Sequence, residues 1–337
     1  MREVARRAGV SPMTVSRVIN GNGRVRPETR VAVEQVIATL GFVPNGLARG
    51  LSSRKTMVLG LIVPDVGNPF YAPIARGAES VARRAGYHVM LCNSEGSLAY
   101  EGEYIADMLE RRVDGLLVVP VSDESRSSLR LLERHGIPYA LIDRTVPGID
   151  ADVVQGDSVG GARALIEHLI SLGHTRIAML AESNSVSTSR DRRRGYREAL
   201  EAAGLASTPD LLVETTVDLQ GGYRGMLVLL DFEPRPTAVF AINNLVAAGA
   251  VKAIRERGFA VPDDLALVAF DDIEHEVALS PFLTVMPQPA ESFGTIAAHL
   301  LLDRILGYAP ANRRVVVLPS DIIVRESCGA RQRPKER

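Results

Sequence analysis

Cysteine and histidine are scarce in this chain, and their scarcity excludes two kinds of site. The 337 residues contain only two cysteines, Cys92 and Cys328, and six scattered histidines. This number and spacing exclude a disulfide framework and a Cys/His metal centre, so neither a metal nor another cofactor is predicted. Cys92 ends an apolar run over residues 87–92, which predicts a lone buried thiol.

Long hydrophobic runs are also missing. No segment approaches the roughly 18 consecutive apolar residues that a membrane-spanning helix needs. The first residues are charged and helical in pattern, unlike a secretory signal peptide. We therefore expect a cytoplasmic protein with no membrane partner.

Lysine occurs only at positions 55, 252 and 335, so arginine carries nearly all the positive charge. That charge is unevenly distributed, because residues 1–55 hold ten basic and three acidic residues, a net charge of +7, whereas the whole chain has −1. A basic head on an acidic body is typical of a protein whose head contacts nucleic-acid phosphates.

Residues 4–20 (VARRAGVSPMTVSRVIN) have the pattern of a helix-turn-helix. Gly9 is placed to end the first helix with a positive φ, and Ser11 is suited to cap the second helix. Val15 and Val18 would face the first helix, which leaves the opposite side of the second helix free to enter a DNA major groove.

Two further segments complete the head. A third helix is predicted over residues 27–40, and Gly41 is placed to end it. Residues 45–52 form a short segment of small residues before the first strand, with weak helical character.

From residue 57 onward, short apolar strands alternate with amphipathic helices, which predicts parallel strands buried on both faces. The first series has strands at 58–63, 89–92, 115–119 and 139–142, with helices near 71–86, 99–112 and 125–136. The second has strands at 176–180, 238–242 and 265–270, with helices near 158–172, 190–203, 221–231 and 244–258. The predicted fold class is therefore an all-α helix-turn-helix head plus an α/β body of two doubly wound parallel-sheet lobes.

Two such lobes leave a cleft between the carboxyl ends of their strands, where open α/β sheets bind ligands. Aspartate, asparagine and arginine follow several of the predicted strands. Carboxylates and amides bridge adjacent hydroxyl groups, so this set favours a neutral polyhydroxylated ligand.

The residues of the head, together with RPETR at 26–30, LGFVPN at 40–45 and ARGL at 48–51, resemble the LacI/GalR family of bacterial transcriptional regulators. The resemblance continues through the body to about Val324. It implies a DNA-binding regulator with a body similar to periplasmic sugar-binding proteins.

The resemblance also implies which residues contact DNA. The second helix would enter the major groove, where Arg17 can donate a bidentate pair to guanine and Pro12 and Met13 offer only apolar contact. Residues 45–52 would form a hinge helix that orders on operator DNA and inserts Leu51 into a minor-groove step. The implied DNA contacts are Ser11, Pro12, Met13, Thr14, Ser16, Arg17, Asn20, Asn45, Ala48 and Leu51.

Effector contacts follow from the same resemblance. The implied contacts are Phe70, Asp143, Arg192, Asn243, Asp271 and Gln288. Asn244 stands where family members usually have Asp, and Asp157 is expected to support the cleft rather than touch the ligand.

The resemblance predicts a homodimer, because one helix-turn-helix reads too few bases for useful specificity. The predicted organisation is a DNA-binding domain over residues 1–44, a hinge over 45–56, an effector-binding and dimerisation domain over 57–325, and a disordered tail over 326–337. Its first lobe takes about 57–155 and 291–318, and its second about 156–288 and 319–325.

The predicted function is a repressor that binds a near-palindromic operator and responds to a sugar or sugar derivative in the cleft. A regulator dependent on a purine or another metabolite as corepressor is an alternative, and so is a solute-binding protein, which would require export. An enzyme is not predicted, because residues 158–161 are too short for a glycine-rich phosphate loop and no Ser/His/Asp spacing for catalysis is present.

Overall fold

The computed structural model describes residues 1–20, 24–42, 55–206, 208–272 and 282–330, except for the side chain of residue 20. The chain divides into two compact units. One comprises Met1–Met57 with Arg112–Asp114, and the other comprises Val58–Arg111 with Gly115–Arg337.

The N-terminal unit contains α1 (Arg2–Arg7), α2 (Pro12–Asn20) and α3 (Pro27–Leu40). Gly9 between the first two helices has φ 65°, a conformation that glycine adopts without steric cost. The Oγ of Ser11 accepts a hydrogen bond of 3.1 Å from the backbone N–H of Thr14, as a helix cap should. Both features confirm the predicted helix-turn-helix.

A small apolar core holds these three helices together. Its buried members are Val4, Ala5, Val15, Val18 and Val33. Val15 and Val18, on one side of α2, are therefore part of this core, as the periodicity predicted.

The first lobe of the larger unit contains the strands β1 (Val58–Val63), β2 (His88–Asn93), β3 (Gly115–Val118), β4 (Tyr139–Ile142), β5 (Asp152–Gly156) and β11 (Val315–Leu318). They form one parallel sheet in the order β11-β5-β4-β3-β1-β2. Its helices are α4 (Tyr71–Arg84), α5 (Leu98–Glu110), α6 (Arg126–His135) and α11 (Ala290–Leu306).

The second lobe contains the strands β6 (Ile177–Ala181), β7 (Leu212–Glu214), β8 (Ala238–Ala241), β9 (Ala266–Phe270) and β10 (Thr284–Met286). They form one parallel sheet in the order β10-β9-β8-β6-β7. Its helices are α7 (Ser158–Ser171), α8 (Ser187–Ala202), α9 (Leu219–Leu230) and α10 (Asn244–Glu256). The two predicted parallel-sheet lobes are thus confirmed.

The chain passes between the lobes after β5, after β10 and after β11, so the first lobe is completed by residues that follow the second. Asp152 binds the segment that returns to the first lobe. Its buried carboxylate accepts hydrogen bonds of 2.7 Å from Arg304 of α11 and from Arg314 just before β11. Two charge-assisted pairs on one buried carboxylate join β5, α11 and β11 into one sheet.

Close helix packing covers one face of the first sheet. Gly294 of α11 faces α4, and a methyl group at that position would collide with the carbonyl oxygen of Ile74. The two helices therefore approach each other more closely than larger side chains would allow.

Two sequence predictions are wrong. Cys92 is only partly buried, because β2 is the terminal strand of its sheet and also leaves Met90 and Leu91 exposed. The prediction of disorder is wrong for residues 326–328, because Glu326–Cys328 form a 3₁₀ helix in which Ser327 and Cys328 are buried. The Oγ of Ser327 donates to the carbonyl of Leu267 at 2.6 Å, which fixes this segment to the second lobe.

None of the described helices is long and apolar enough to cross a membrane. Among the same residues, no group of three or more His, Cys, Asp and Glu side chains could hold a metal ion.

Candidate ligand cleft and nucleic-acid interface

Loops that follow the strands of both lobes enclose a cavity of about 850 Å³, here called the large chamber. From the first lobe it is lined by Pro64, Asp65, Asn68, Tyr71, Asn93, Glu95, Gly96, Leu98, Val121, Ser122, Glu124 and Arg144. From the second lobe it is lined by Glu182, Ser183, Ser185, Val186, Thr215, Thr216, Val217, Asp218 and Asn243. The predicted cleft at the carboxyl ends of the strands is therefore present.

A second cavity of about 30 Å³, here called the small pocket, shares part of this lining. Its walls include Phe70, Asp143, Arg192, Asn243 and Asp271, five of the six predicted effector contacts. Gln288, the sixth, lines neither cavity, but its Nε2 donates to Asp271 Oδ1 at 2.7 Å. The sequence-predicted residues thus converge on the small pocket, and only Asn243 also reaches the large chamber.

Asp143 and Asp271 occupy corresponding positions in the two lobes. Each directly follows a strand, each has a positive φ (65° and 62°), and each donates its backbone N–H to the next strand in the sheet. The acceptors are the carbonyls of Val154, at 2.7 Å, and Met286, at 2.9 Å. Positive φ is uncommon for residues other than glycine and is frequent at functional sites. Both carboxylates are buried, so each lobe supplies one member of a matched pair.

Arg192 is held between Asp271 and the aromatic ring of Phe270. Its Nη1 donates to the carbonyl of Ile242 at 2.8 Å and lies 3.7 Å from Asp271 Oδ2, while its guanidinium stacks 3.8 Å from the Phe270 ring centre. Burial raises the pKa of Asp271, and the adjacent guanidinium partly offsets this effect.

The remaining predicted residues are fixed by local structure. Asn243 caps α10, because its Oδ1 accepts from the N–H of Val246 at 2.9 Å. Phe70 is nearly buried and packs edge-on against Tyr71 and Phe293. Asp157 caps α7 through the N–H of Gly160, which is a structural role at the crossing between the lobes.

Sequence analysis did not identify Arg144 and Glu182 as site residues, although they line both cavities. Glu182 directly follows β6, so the strand-end rule that identified Asp143 could have found it. Burial raises the pKa of Glu182, against the opposing effect of Arg144 and Arg192. Arg144 Nη1 donates to the carbonyls of Pro120, at 3.1 Å, and Val121, at 3.0 Å.

Asn244 is fully buried and connects the two lobes. Its Nδ2 lies 3.3 Å from Asn68 Oδ1 in the first lobe and 3.4 Å from the carbonyl of Asp272. The amide of Asn244 therefore acts as a hydrogen-bond donor, which an ionised carboxylate could not do.

Several buried polar atoms at the cleft have no hydrogen-bond partner among the described residues. They include Asp143 Oδ1, Arg144 Nε and Arg192 Nε. Unsatisfied buried donors and acceptors are costly and uncommon in native proteins, so their concentration at one place calls for a functional explanation. A ligand that carries both donors and acceptors would satisfy them.

The N-terminal unit presents the outer side of α2. Pro12, Met13 and Arg17 are exposed, with Met13 65% accessible, whereas Thr14 and Ser16 are half-buried. The hydroxyl of Thr14 lies 3.0 Å from Ser11 Oγ, so the two form a pair at the start of the helix. The side chain of Asn20 and the predicted hinge residues Asn45, Ala48 and Leu51 lie outside the described residues.

Two protein families match this chain. Residues 1–45 match the bacterial regulatory proteins of the lacI family, and residues 166–328 match the periplasmic binding protein-like domain.

Curated relatives align over almost the whole chain. The HTH-type transcriptional regulator DegA of Bacillus subtilis is 34% identical over 96% of both chains. The ribose operon repressor of Haemophilus influenzae is 33% identical, and the repressor PurR of Aliivibrio salmonicida is 32% identical, each covering 97% of this chain and 98% of the relative. These relatives are transcriptional regulators and not enzymes, in agreement with the sequence analysis.

Solved structures of transcriptional regulators also align with almost the whole chain. A complex of the transcriptional regulator CelR with cellobiose is 35% identical, with a TM-score of 0.73 over 96% of this chain and 98% of that chain. A lac repressor dimer bound to operator and an anti-inducer is 27% identical, with a TM-score of 0.84 over 97% of this chain and 98% of that chain. The chain therefore belongs to the LacI family of bacterial regulatory proteins.

Proposed function

We propose that this protein is a repressor that binds a near-palindromic operator as a homodimer and is controlled by a carbohydrate effector in the cleft between its lobes. The observation that carries the effector assignment is the cluster of buried, unsatisfied polar atoms on Asp143, Arg144 and Arg192 beside the ring of Phe70. Sugar hydroxyls donate and accept at once, and an aromatic ring covers the apolar face of a sugar.

The contacts of Arg192 support this assignment. Its Nη1 is engaged by the carbonyl of Ile242 and its planar face by Phe270, so the guanidinium is fixed in one orientation before any ligand arrives. A preorganised donor loses little entropy on binding. Relatives and neighbours are consistent with a sugar, because one is named a ribose operon repressor and another was solved with cellobiose.

The DNA-binding assignment uses the exposed side of α2. Arg17 supplies a bidentate donor for a base edge, and Met13 supplies an apolar surface for a thymine methyl group. We assign residues 1–44 to DNA binding, 45–56 to the hinge and 57–325 to effector binding and dimerisation. Asn20, Asn45, Ala48 and Leu51 remain proposed DNA contacts, and the site of action is the cytoplasm, where the operator lies.

Control of DNA binding would follow from a change in lobe arrangement. An effector that binds one arrangement more tightly shifts the population toward it, and the same free energy changes operator affinity. A lac repressor dimer bound to operator is the structural precedent for a paired DNA-binding unit.

Thermal unfolding of the purified protein across a panel of sugars, sugar phosphates and purines tests this function. A ligand at about 100 times its Kd stabilises by about 2.7 kcal/mol, which a shift in Tm reveals. Arg192→Ala should abolish the shift. The effector should also change the affinity of the wild-type protein for a palindromic operator, measured by fluorescence anisotropy. An operator affinity that is indifferent to every stabilising ligand would contradict the proposal.

A purine corepressor is the second candidate, because PurR is among the relatives. Stabilisation by a purine base together with stronger operator binding would favour it over a sugar effector.

A further inference from the structure

The first sheet ends on one side in β11 (Val315–Leu318), which is its terminal strand. All the residues of β11 are aliphatic, and Val315 and Val317 are 49% and 48% exposed. Native proteins usually protect such an edge with charged residues, proline or a bulge. β11 contains neither a charged residue nor proline, and its register with β5 is continuous. Its outer edge is therefore open to pairing with another strand.

The backbone of β11 pairs with the sheet on one side only. Val153 of β5 lies opposite Val315, but its N–H donates to the carbonyl of Arg314 at 2.9 Å. Residues that bond to a given neighbour alternate along a strand, so the N–H and C=O groups of Val315 and Val317 point away from β5. These two residues present both backbone hydrogen-bonding groups and apolar side chains at the edge of the sheet.

Opposite charges flank β11 in the sequence. Arg313 precedes the strand, Asp321 follows it, and both are exposed. Arg313 lies 3.4 Å from Asp150, but this pair is exposed and contributes little. If two copies of β11 pair antiparallel about Val317, residue 313 of each copy lies opposite residue 321 of the other. Opposite charges across a strand pair are stabilising, so the edge is complementary to itself and favours a second copy of this chain.

A two-fold axis at Val317 gives this pairing a consistent register. Val317 would exchange both of its backbone hydrogen bonds with the same residue of the second copy. The N–H of Val315 would donate to the carbonyl of Pro319 in the second copy, and Pro319 has no N–H to leave unpaired. A pairing of this kind joins two copies and then stops, because each edge is used once.

We propose that antiparallel pairing of β11 with β11 of a second copy joins two homodimers into a tetramer. The opposite edge of the same sheet is β2, which also leaves Met90 and Leu91 exposed, so a homodimer that forms there leaves β11 uncovered. This inference rests on the proposed homodimer and adds a second contact to it. Strands this short bury little area, so we expect the two homodimers to associate with a Kd of about 1–10 µM.

Sedimentation velocity of the full chain, from about 0.1 to 100 µM, tests the second contact. The wild type should change from dimer to tetramer as concentration rises. Val317→Lys should raise the Kd of this step at least about tenfold, because it places two like charges together at the two-fold axis. Val228→Lys, at a valine of α9 that is 47% exposed, is the matched control and should form tetramers like the wild type.

Three results would overturn the inference. The first is a wild type that stays dimeric at every concentration, and the second is a Val317→Lys variant that forms tetramers as readily as Val228→Lys. The third is a monomeric Val317→Lys variant, because β11 would then be the contact of the homodimer itself.

A charge exchange tests the register. Arg313→Glu and Asp321→Arg should each weaken tetramer formation by at least about threefold, because each places like charges opposite one another. The variant that carries both substitutions should recover most of the lost affinity, since opposite charges again face each other between copies. A double variant that associates no better than the single ones would show that residues 313 and 321 do not meet, and would contradict the proposed pairing.

Operator binding separates this inference from the proposed function. The dimeric Val317→Lys variant should bind a single palindromic operator as tightly as the wild type, measured by fluorescence anisotropy. A wild type that is only dimeric but binds operator and responds to effector would overturn the inference and leave the proposed function intact. A tetramer that forms through β11 but does not bind operator would do the reverse.

Discussion

Asp123 of the first lobe and Arg190 of the second form a two-point ion pair across the cleft. Arg190 Nη1 lies 2.6 Å from Asp123 Oδ2, and Arg190 Nη2 lies 3.1 Å from Asp123 Oδ1. Both side chains are partly exposed, so the pair contributes modestly, up to about 1 kcal/mol. A contact this weak costs little to break, as the proposed control by a change in lobe arrangement requires.

Asp123→Asn should weaken effector binding by about two- to fivefold, because the ligand must then hold the lobes together without the ion pair. Arg190 should stay ordered, since its Nη1 also donates to the carbonyl of Asn184 at 2.7 Å. Calorimetric titration measures the change. Asp150→Asn, which removes an exposed pair with Arg313, is the control, and an equal effect of both substitutions would argue against a cross-lobe role.

Asp271→Asn should weaken the binding of the effector by about 1.5–3 kcal/mol, the contribution of a hydrogen bond to a charged group. The operator affinity of the ligand-free protein should change little, because the substitution lies in the cleft. Titration with effector and anisotropy with labelled operator measure the two effects. Asp231→Asn, which alters an exposed pair with Arg257, controls for loss of charge, and a normal effector response of Asp271→Asn would remove this residue from the site.

Glu182→Gln should raise Tm at neutral pH while weakening effector binding. Burial raises the pKa of Glu182 above its ordinary value of 4.5, so the folded state binds this proton more tightly than the unfolded chain does. The wild type therefore loses stability as pH rises through the raised pKa, and a neutral glutamine avoids that loss.

The measurement is the difference in Tm between Glu182→Gln and the wild type as a function of pH. It should be positive at pH 7 and shrink as pH falls to below 4.5, where the wild-type carboxyl becomes protonated in both states. The exposed Glu103→Gln is the control. A difference that does not depend on pH would mean that the charge on Glu182 is not destabilising.

Sequence periodicity predicted most of the strands in the middle of both sheets, because they are apolar along their whole length. It missed β5, in which only Val153 and Val154 are apolar, and β7 and β10, which have three residues each. It also missed β11, in which Val315 and Val317 are half-exposed on a sheet edge. It also missed α11. Short strands and an exposed edge lack the continuous apolar run on which the prediction depended.

The prediction of the candidate site was limited in the same way by the strands that were missed. Asp143 and Asp271 were predictable because each follows a recognisable strand. The cleft itself was predicted, but part of the lining of the large chamber was not, because Thr215 and Thr216 follow the undetected β7. The contact of Asp123 with Arg190 joins residues 67 positions apart and depends on how the two lobes face each other, which no local pattern encodes.

Arg17→Ala should cost about 1–3 kcal/mol of operator affinity at a single base position and relax specificity there. Arg17 is exposed on the side of α2 opposite Val15 and Val18, so its removal leaves the core of the N-terminal unit intact. Anisotropy titrations with operators substituted at each position measure the effect for the wild type and the variant. If Arg17 contacts a base edge, base substitutions at one operator position should no longer change the affinity of the variant. The salt dependence of its operator affinity should then change little. A uniform loss at every position, with a salt slope lower by about one, would instead make Arg17 a phosphate contact, since a phosphate contact carries no sequence information.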